Sequence, residues 1–231
     1  MARMKRALAT LAVAQVVYGL SPRPPAATRG LVALMLGTST LDARRAGEAR
    51  AVAAAGAVGF GAELVGVATG RPFGHYAYSS RLGPRVRDVP VLAAAAWAMM
   101  ARPAWVVAST LSPRRSRRIL LAAGALTAWD VFLDPRMVRE QYWSWPGGGR
   151  YEGVPASNFA GWMLTGLAVF GAYSRLAHGR ATDEALALYV WTWLGEAFAN
   201  AALWERPRVA VTGGVAMGAF AVPALIRRVR G

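Results

Sequence analysis

Two carboxylates stand one helical turn apart at the end of an apolar stretch. Asp130 and Asp134 lie in "TAWDVFLDPRMVREQYW", residues 127–143, whose first eight residues close an apolar run that begins at Ile119. The spacing places both side chains on one face of a helix. A carboxylate at the centre of a bilayer costs about 2.5–3.5 kcal/mol on insertion scales, so such acids are protonated, paired or turned towards a wet cavity. Intramembrane acids are therefore candidates for a functional site.

Further polar residues are predicted at the same membrane boundary. Glu63 lies late in the third apolar segment, Glu196 and Asn200 stand one turn apart late in the seventh, and Asn158 opens the sixth. Because successive spans alternate in direction, all of them reach the boundary at which the Asp130 segment ends. The loops "GRPFGHYAYSSRLGPRVRDVP" and "DPRMVREQYWSWPGGGRYEGVPASN" emerge on this side too. The sequence thus predicts one polar cluster.

Each of these residues also has a structural explanation. Asp134 precedes Pro135, so it could end a helix at the interface or cap the next turn. Glu63 or Glu196 could form a structural ion pair with an arginine. The candidate partners for this ion pair are Arg71, Arg206 and Arg208. His75 could be an interfacial loop residue, and the aromatic residues of "YWSW" fit an interfacial aromatic belt.

The composition indicates a membrane protein. Of the 231 residues 55% are hydrophobic and 17% charged, whereas about a quarter are charged in soluble domains. The charges separate long apolar runs, which are candidate spans. We predict an all-α, polytopic transmembrane helix bundle of about seven to eight spans, a single integral domain over residues 1–231, and a multi-pass location in the cell membrane. The eight apolar segments lie near Ala7–Leu20, Gly30–Leu41, Ala51–Thr69, Val89–Met100 (extending towards Leu111), Ile119–Leu133, Asn158–Leu176, Ala185–Leu203 and Val209–Ile226.

The charge pattern and the missing residue types exclude several function classes. The net charge of +15 is spread over short loops between apolar segments, which favours membrane topology over nucleic-acid binding. Most of the 27 lysines and arginines lie on the side of the two termini, which predicts cytoplasmic termini. The chain has no cysteine, so thiolate metal sites and cysteine nucleophiles are excluded. Two histidines are too few for a histidine-rich metal site, and we predict no metal.

Three stretches are similar to a known family. They are "TGRPFGHYAYSSRLGPRVRDVPVLAAAAWAMM", "AWDVFLDPRMVREQYWSWPGGGRYEGVPASNFAGW" and "GEAFAN". Between about Glu63 and Trp204 the chain resembles the integral membrane carotenoid hydratases of bacteria and haloarchaea. The resemblance implies addition of water to the terminal isopropylidene double bond of an acyclic carotenoid end, which gives a tertiary alcohol without a cofactor. Lycopene, gamma-carotene and bisanhydrobacterioruberin are the implied substrates, and other enzymes of carotenoid biosynthesis are candidate partners.

Hydration of such an alkene needs a strong acid, a tolerated tertiary cation and a positioned water. A carboxyl group beside hydrocarbon keeps its proton because desolvation disfavours its charged form. We therefore expect Asp130 to donate the proton, and Asp134 or Glu196 to orient the water and accept its proton. Glu63, His75 and Asn158 would complete the hydrogen-bond network. Residues expected to stabilise the cation or bind substrate are Trp129, Tyr142, Trp143, Trp162, Tyr76, Asn158 and Asn200.

Two other function classes are also consistent with the sequence, namely another membrane terpenoid enzyme and a transporter. A membrane terpenoid cyclase begins with the same alkene protonation but excludes water, and a prenyltransferase needs richer aspartate clusters for magnesium. A proton-coupled transporter also uses buried acids, although its usual inverted repeats are not found in the sequence.

Overall fold

The computed structural model describes residues 2–230, and each of the eight predicted apolar segments forms a helix in it. The all-α prediction is confirmed. The helices are α1 (Ala2–Leu20), α2 (Pro25–Arg45), α3 (Ala49–Thr69), α4 (Val91–Leu111), α5 (Arg115–Arg139), α6 (Ala156–Leu176), α7 (Asp183–Phe198) and α8 (Pro207–Arg230). A π-helical turn, Ala199–Leu203, extends α7.

Three of these helices, α3, α4 and α8, are long and apolar enough to cross a membrane. The total of seven to eight spans stays a prediction. Helix α4 is the central element, since it contacts α2, α3, α5, α7 and α8 and most of its residues are buried. Large apolar side chains on the outer helices are exposed, among them Val215 of α8 and Leu164 of α6. An apolar exterior of this kind suits a lipid environment.

Small residues allow the central helices to approach closely. Gly59 of α3 lies against Trp97 of α4, and a Cβ added to this glycine would lie 2.2 Å from the indole Cγ. Gly166 of α6 faces Ala123 of α5, where an added Cβ would lie 3.1 Å from the alanine Cβ. Close backbone contact over small side chains is the usual way in which membrane helices associate.

Two loops meet at one end of the bundle, which we call the loop end. Strand β1 (Ala77–Tyr78) pairs antiparallel with β4 (Trp143–Ser144). Within the first loop a short 3-10 helix, Ser80–Leu82, precedes a second antiparallel pair, β2 (Arg85–Val86) and β3 (Val89–Pro90). The predicted meeting of these two loops on one side of the bundle is confirmed.

A buried ionic network lies near the other end of the bundle. Arg102 of α4 has only 1% of its surface exposed. Its guanidinium donates to Asp42 at 2.9 Å and to Glu48, and Tyr173 donates to Glu48 at 3.0 Å. Thr182, which precedes α7, also donates to Asp42 at 2.9 Å. The network ties α2, α3, α4, α6 and α7 together opposite the loop end.

Helix α5 continues through Pro135 to Arg139, so the expectation that Asp134 ends a helix or caps a turn is wrong. Pro135 has no N–H to donate to the carbonyl of Val131, four residues earlier. The Tyr151 hydroxyl donates to that carbonyl at 3.1 Å and replaces the missing bond. This replacement allows the helix that bears Asp130 and Asp134 to continue past the proline.

Candidate acid site

Asp130 and Asp134 lie together at the loop end, bridged by Asn158. The three residues are at most 2% exposed. The Nδ2 group of Asn158, in the first turn of α6, donates to Oδ2 of Asp130 at 3.0 Å and to Oδ2 of Asp134. One amide therefore serves both acids. This grouping agrees with the helical spacing and the alternation of segments in the sequence.

The remaining carboxyl oxygens of the two acids differ in their hydrogen bonding. Oδ1 of Asp134 accepts a hydrogen bond from the indole nitrogen of Trp143 at 3.1 Å. Oδ1 of Asp130 is buried and has no hydrogen-bond partner among residues 2–230. A buried acceptor without a donor is costly.

Glu63 forms a second acidic centre with three donors. Its Oε2 accepts from the hydroxyls of Tyr76 and, at 2.8 Å, of Tyr78, while its Oε1 accepts from the indole of Trp97 at 2.9 Å. Burial raises the pKa of Tyr78 well above its usual range, and the neighbouring carboxyl of Glu63 raises it further, so the hydroxyl remains a donor. The suggested ion pair of Glu63 with an arginine is wrong.

A cavity of about 60 Å³ joins the two acidic centres. Glu63, Asp134 and Asn158 line it, whereas Asp130 does not. The aromatic side chains around it are Phe73, Tyr76, Tyr78, Trp97, Trp143, Trp145 and Trp162. A cavity needs about 10–15 Å³ to hold one water, so this space can hold water beside the acids. The cavity thus brings two acids close to a group of seven aromatic side chains.

The predicted aromatic residues occupy three different positions. Trp162 stacks on Trp97 with ring centroids 4.0 Å apart, and both residues line the cavity. Trp129 is buried behind them and meets Trp162 edge to face at 6.2 Å. Tyr142 does not line the cavity, and its hydroxyl donates to Oγ1 of Thr28 at 2.7 Å.

Glu196 and Asn200 do not join this site, so the single predicted cluster is wrong for these two residues. Glu196 pairs with Arg136 at 2.9 Å, and Asn200 donates to the carbonyl of Glu196 at 2.9 Å. The physical reason is the packing of α7, which contacts α8, α4 and α1 most extensively. The suggested structural ion pair of Glu196 is present, although with Arg136 as its partner.

His75 is also separate from the acids. It is exposed, does not line the cavity, and its imidazole lies over Gly70, whose added Cβ would meet it at 2.7 Å. The hydrogen-bond network therefore contains Glu63 and Asn158 but not His75.

Sequence reasoning missed Tyr78 and Trp97. Tyr76 and Tyr78 are two residues apart in an extended segment, and such residues face the same side, so the second tyrosine could have been found from the first. Trp97 stands in an apolar run, where a tryptophan that donates to a buried acid looks like any core residue.

Comparison with known proteins identifies a matching family and a relative. The family model described as "Carotenoid biosynthesis protein" matches residues 27–224, which leaves α1 outside the match. Bisanhydrobacterioruberin hydratase of Haloarcula japonica is 34% identical over 138 residues, which are 58% of this chain. The aligned part is 46% of that relative, so the chain covers about half its length. No solved structure matches the chain significantly.

Proposed function

Because the chain belongs to the carotenoid biosynthesis protein family, we propose that it is a hydratase acting on an acyclic carotenoid end. It adds water across the terminal carbon–carbon double bond and forms a tertiary alcohol. We further propose that it works as a multi-pass protein of the cell membrane. Lycopene, gamma-carotene and bisanhydrobacterioruberin-like chains are candidate substrates, and other enzymes of carotenoid biosynthesis are candidate partners.

The observation that carries this proposal is the bridged acid pair beside an aromatic cavity. Two carboxylates that share the Asn158 amide repel each other when both are charged, so the pair retains a proton. Asp134 lines the cavity and Asp130 lies behind it. We therefore assign proton donation to Asp134, rather than to Asp130 as the sequence suggested, and give Asp130 the role of its buried partner.

The proposed reaction is balanced without any redox step. Asp134 gives its proton to the CH carbon of the isopropylidene group, and the positive charge develops on the neighbouring carbon that bears two methyl groups. The aromatic lining of the cavity, which includes Trp97, Trp143 and Trp162, stabilises this cation. Water then forms the new C–O bond at the cationic carbon and releases one proton, which returns to the acid pair.

Glu63 is proposed to position the water. A carboxylate offers about four acceptor sites, and three of those on Glu63 are filled by Tyr76, Tyr78 and Trp97. The fourth can accept one hydrogen bond from a water in the cavity. Oriented in this way, the water presents its oxygen lone pair to the cation.

The test is expression in a lycopene-producing bacterial host, followed by mass spectrometry of the pigments. The pigments are expected to gain the mass of one or two waters. A pigment of unchanged mass with the absorption spectrum of a ring-containing carotenoid would identify a cyclase and overturn the proposal.

A further inference from the structure

An apolar groove lies between α1 and α7, next to the candidate acid site. Its first part has a volume of about 330 Å³ and is lined by Val16 and Leu20 of α1 and by Leu194 and Phe198 of α7. Its polar residues include the ion pair of Arg136 and Glu196.

The groove continues towards the other end of the bundle. Its second part has a volume of about 580 Å³ and is lined by Leu8, Leu11, Leu186, Val190 and Leu225. Trp191 and Leu194 line both parts, so the two lie next to each other along α7. The indole of Trp191 also donates to Gln15 at 2.6 Å, which fixes α1 against α7. With 16 residues at about 1.5 Å each, α7 gives the groove a length of about 24 Å.

Arg136 connects this groove to the acid cavity, because it lines both. Its guanidinium lies 5.8 Å from the rings of Tyr18 and Trp204, and its Nη1 donates to Glu196 at 2.9 Å. Its Nε is buried and has no hydrogen-bond partner within the described part of the chain. The side chain therefore lies between the two spaces.

We infer that the groove binds the polyene chain of the substrate, and that the end group passes Arg136 into the acid cavity. This inference rests on the proposed function. An acyclic polyene is a long apolar rod, which fits an elongated groove whose lining is mostly aliphatic and aromatic.

The length of the groove favours a polyene over a lipid acyl chain. One acyl chain fills only half of a hydrocarbon core of about 30 Å, or about 15 Å. The groove is longer than that before the cavity is added. The groove also adjoins the acid cavity at Arg136, which favours the substrate polyene over a second copy of the protein as its occupant.

Gly195 offers a clean test. It lies in the first part of the groove, is exposed, and an added Cβ would meet no atom within 4 Å. Gly195→Phe therefore fills the groove without disturbing the helix core. Gly61 of α3 is an exposed helical glycine with the same open space and lines none of these cavities, so Gly61→Phe is the matched control.

The experiment measures lycopene binding to the full chain in phosphatidylcholine nanodiscs by the visible circular dichroism induced in the bound polyene. Wild type and Gly61→Phe are expected to bind equally, and Gly195→Phe about tenfold more weakly because the ring occupies the groove. Hydration of lycopene is measured in the same samples.

Each outcome bears on one of the two proposals. Groove-dependent binding without hydration would support the groove and count against a hydratase acting on this polyene. If Gly195→Phe hydrates lycopene as well as the wild type does, the result would support the hydratase and overturn the proposal that the polyene binds in the groove. No induced dichroism in the wild type, or equal binding by all three proteins, would also overturn it. A change in particle size confined to Gly195→Phe would identify the groove as a contact between copies and overturn the inference.

Discussion

Tyr78 and Trp143 face each other across the β1–β4 ladder, and each donates a hydrogen bond to a different acid of the site. Their rings meet edge to face at 5.5 Å. Tyr78 donates to Glu63 at 2.8 Å, and Trp143 donates to Asp134 at 3.1 Å. The ladder thus fixes the distance between an acid of α3 and an acid of α5. The two loops are part of the site and not mere connections between helices.

Replacing Asp134 tests the proton donor. Asp134→Asn keeps the shape and removes the acid, so hydration should fall by about a hundredfold or more. Membrane yield should be retained, because an amide is cheaper than a carboxylate to hold in an apolar setting. Pigment analysis and protein yield from the same host measure both. Wild-type activity in Asp134→Asn would disprove the assignment.

Asp130→Asn is the companion variant. Asp130 is the buried partner of the proposed donor. Asp130→Asn should therefore lower hydration less than Asp134→Asn does, because the donor Asp134 is still present. In heavy water the wild type should place one deuterium on the carbon next to the new alcohol carbon. Glu196→Gln, away from the cavity, should leave the position of that deuterium unchanged. A larger loss in Asp130→Asn than in Asp134→Asn would return the donor role to Asp130.

Removal of the Glu63 carboxylate should destabilise the protein as well as slow the reaction. Glu63→Gln places an NH₂ group against donors and leaves at least one buried group unsatisfied, which costs about 1–3 kcal/mol. Tyr78→Phe removes only one hydrogen bond and should cost about 1 kcal/mol. Thermal unfolding of the purified proteins in detergent compares them. Equal melting temperatures for wild type and Glu63→Gln would contradict the three-donor arrangement.

The Arg102 network should matter for stability and not for chemistry. Arg102→Met leaves Asp42 and Glu48 buried without a counterion, and breaking a buried pair in this way costs about 3–5 kcal/mol. Adding Asp42→Asn and Glu48→Gln should restore part of the loss, because the unpaired charges are then gone. Thermal unfolding measures the change, and hydration per folded molecule should stay at the wild-type level. A triple variant no more stable than Arg102→Met would argue against this explanation.

The membrane orientation can be tested with reporter fusions after Ser80 and after Gly148. The positive-inside rule predicts that both loops face outward. The β1–β4 pairing requires that they lie on the same side, whichever side it is. Two cytoplasmic readings would invert the orientation, and one reading of each kind would contradict the ladder.

The sequence predicted the parts of the fold that depend on periodicity. Apolar runs marked all eight helices, and a spacing of four residues placed Asp130 and Asp134 on one face, where alternation of the segments added Asn158. The position of Glu196 could not be predicted, because the neighbours of α7 are decided by how all the helices pack. The same holds for Trp97, whose role as a donor depends on Gly59 allowing α3 to approach α4.

The acid cavity lies at the loop end, while a structural ion network occupies the far end of the bundle. Under the proposed function, a symmetric carotenoid that lies along the groove offers one terminus to the acids and leaves the other in the opposite leaflet. Hydration of both termini then requires the pigment to leave, reverse end for end and bind again. The first hydroxyl resists this reversal, since moving an unpaired hydroxyl into hydrocarbon costs roughly 2–7 kcal/mol. A mono-alcohol should therefore accumulate before the diol.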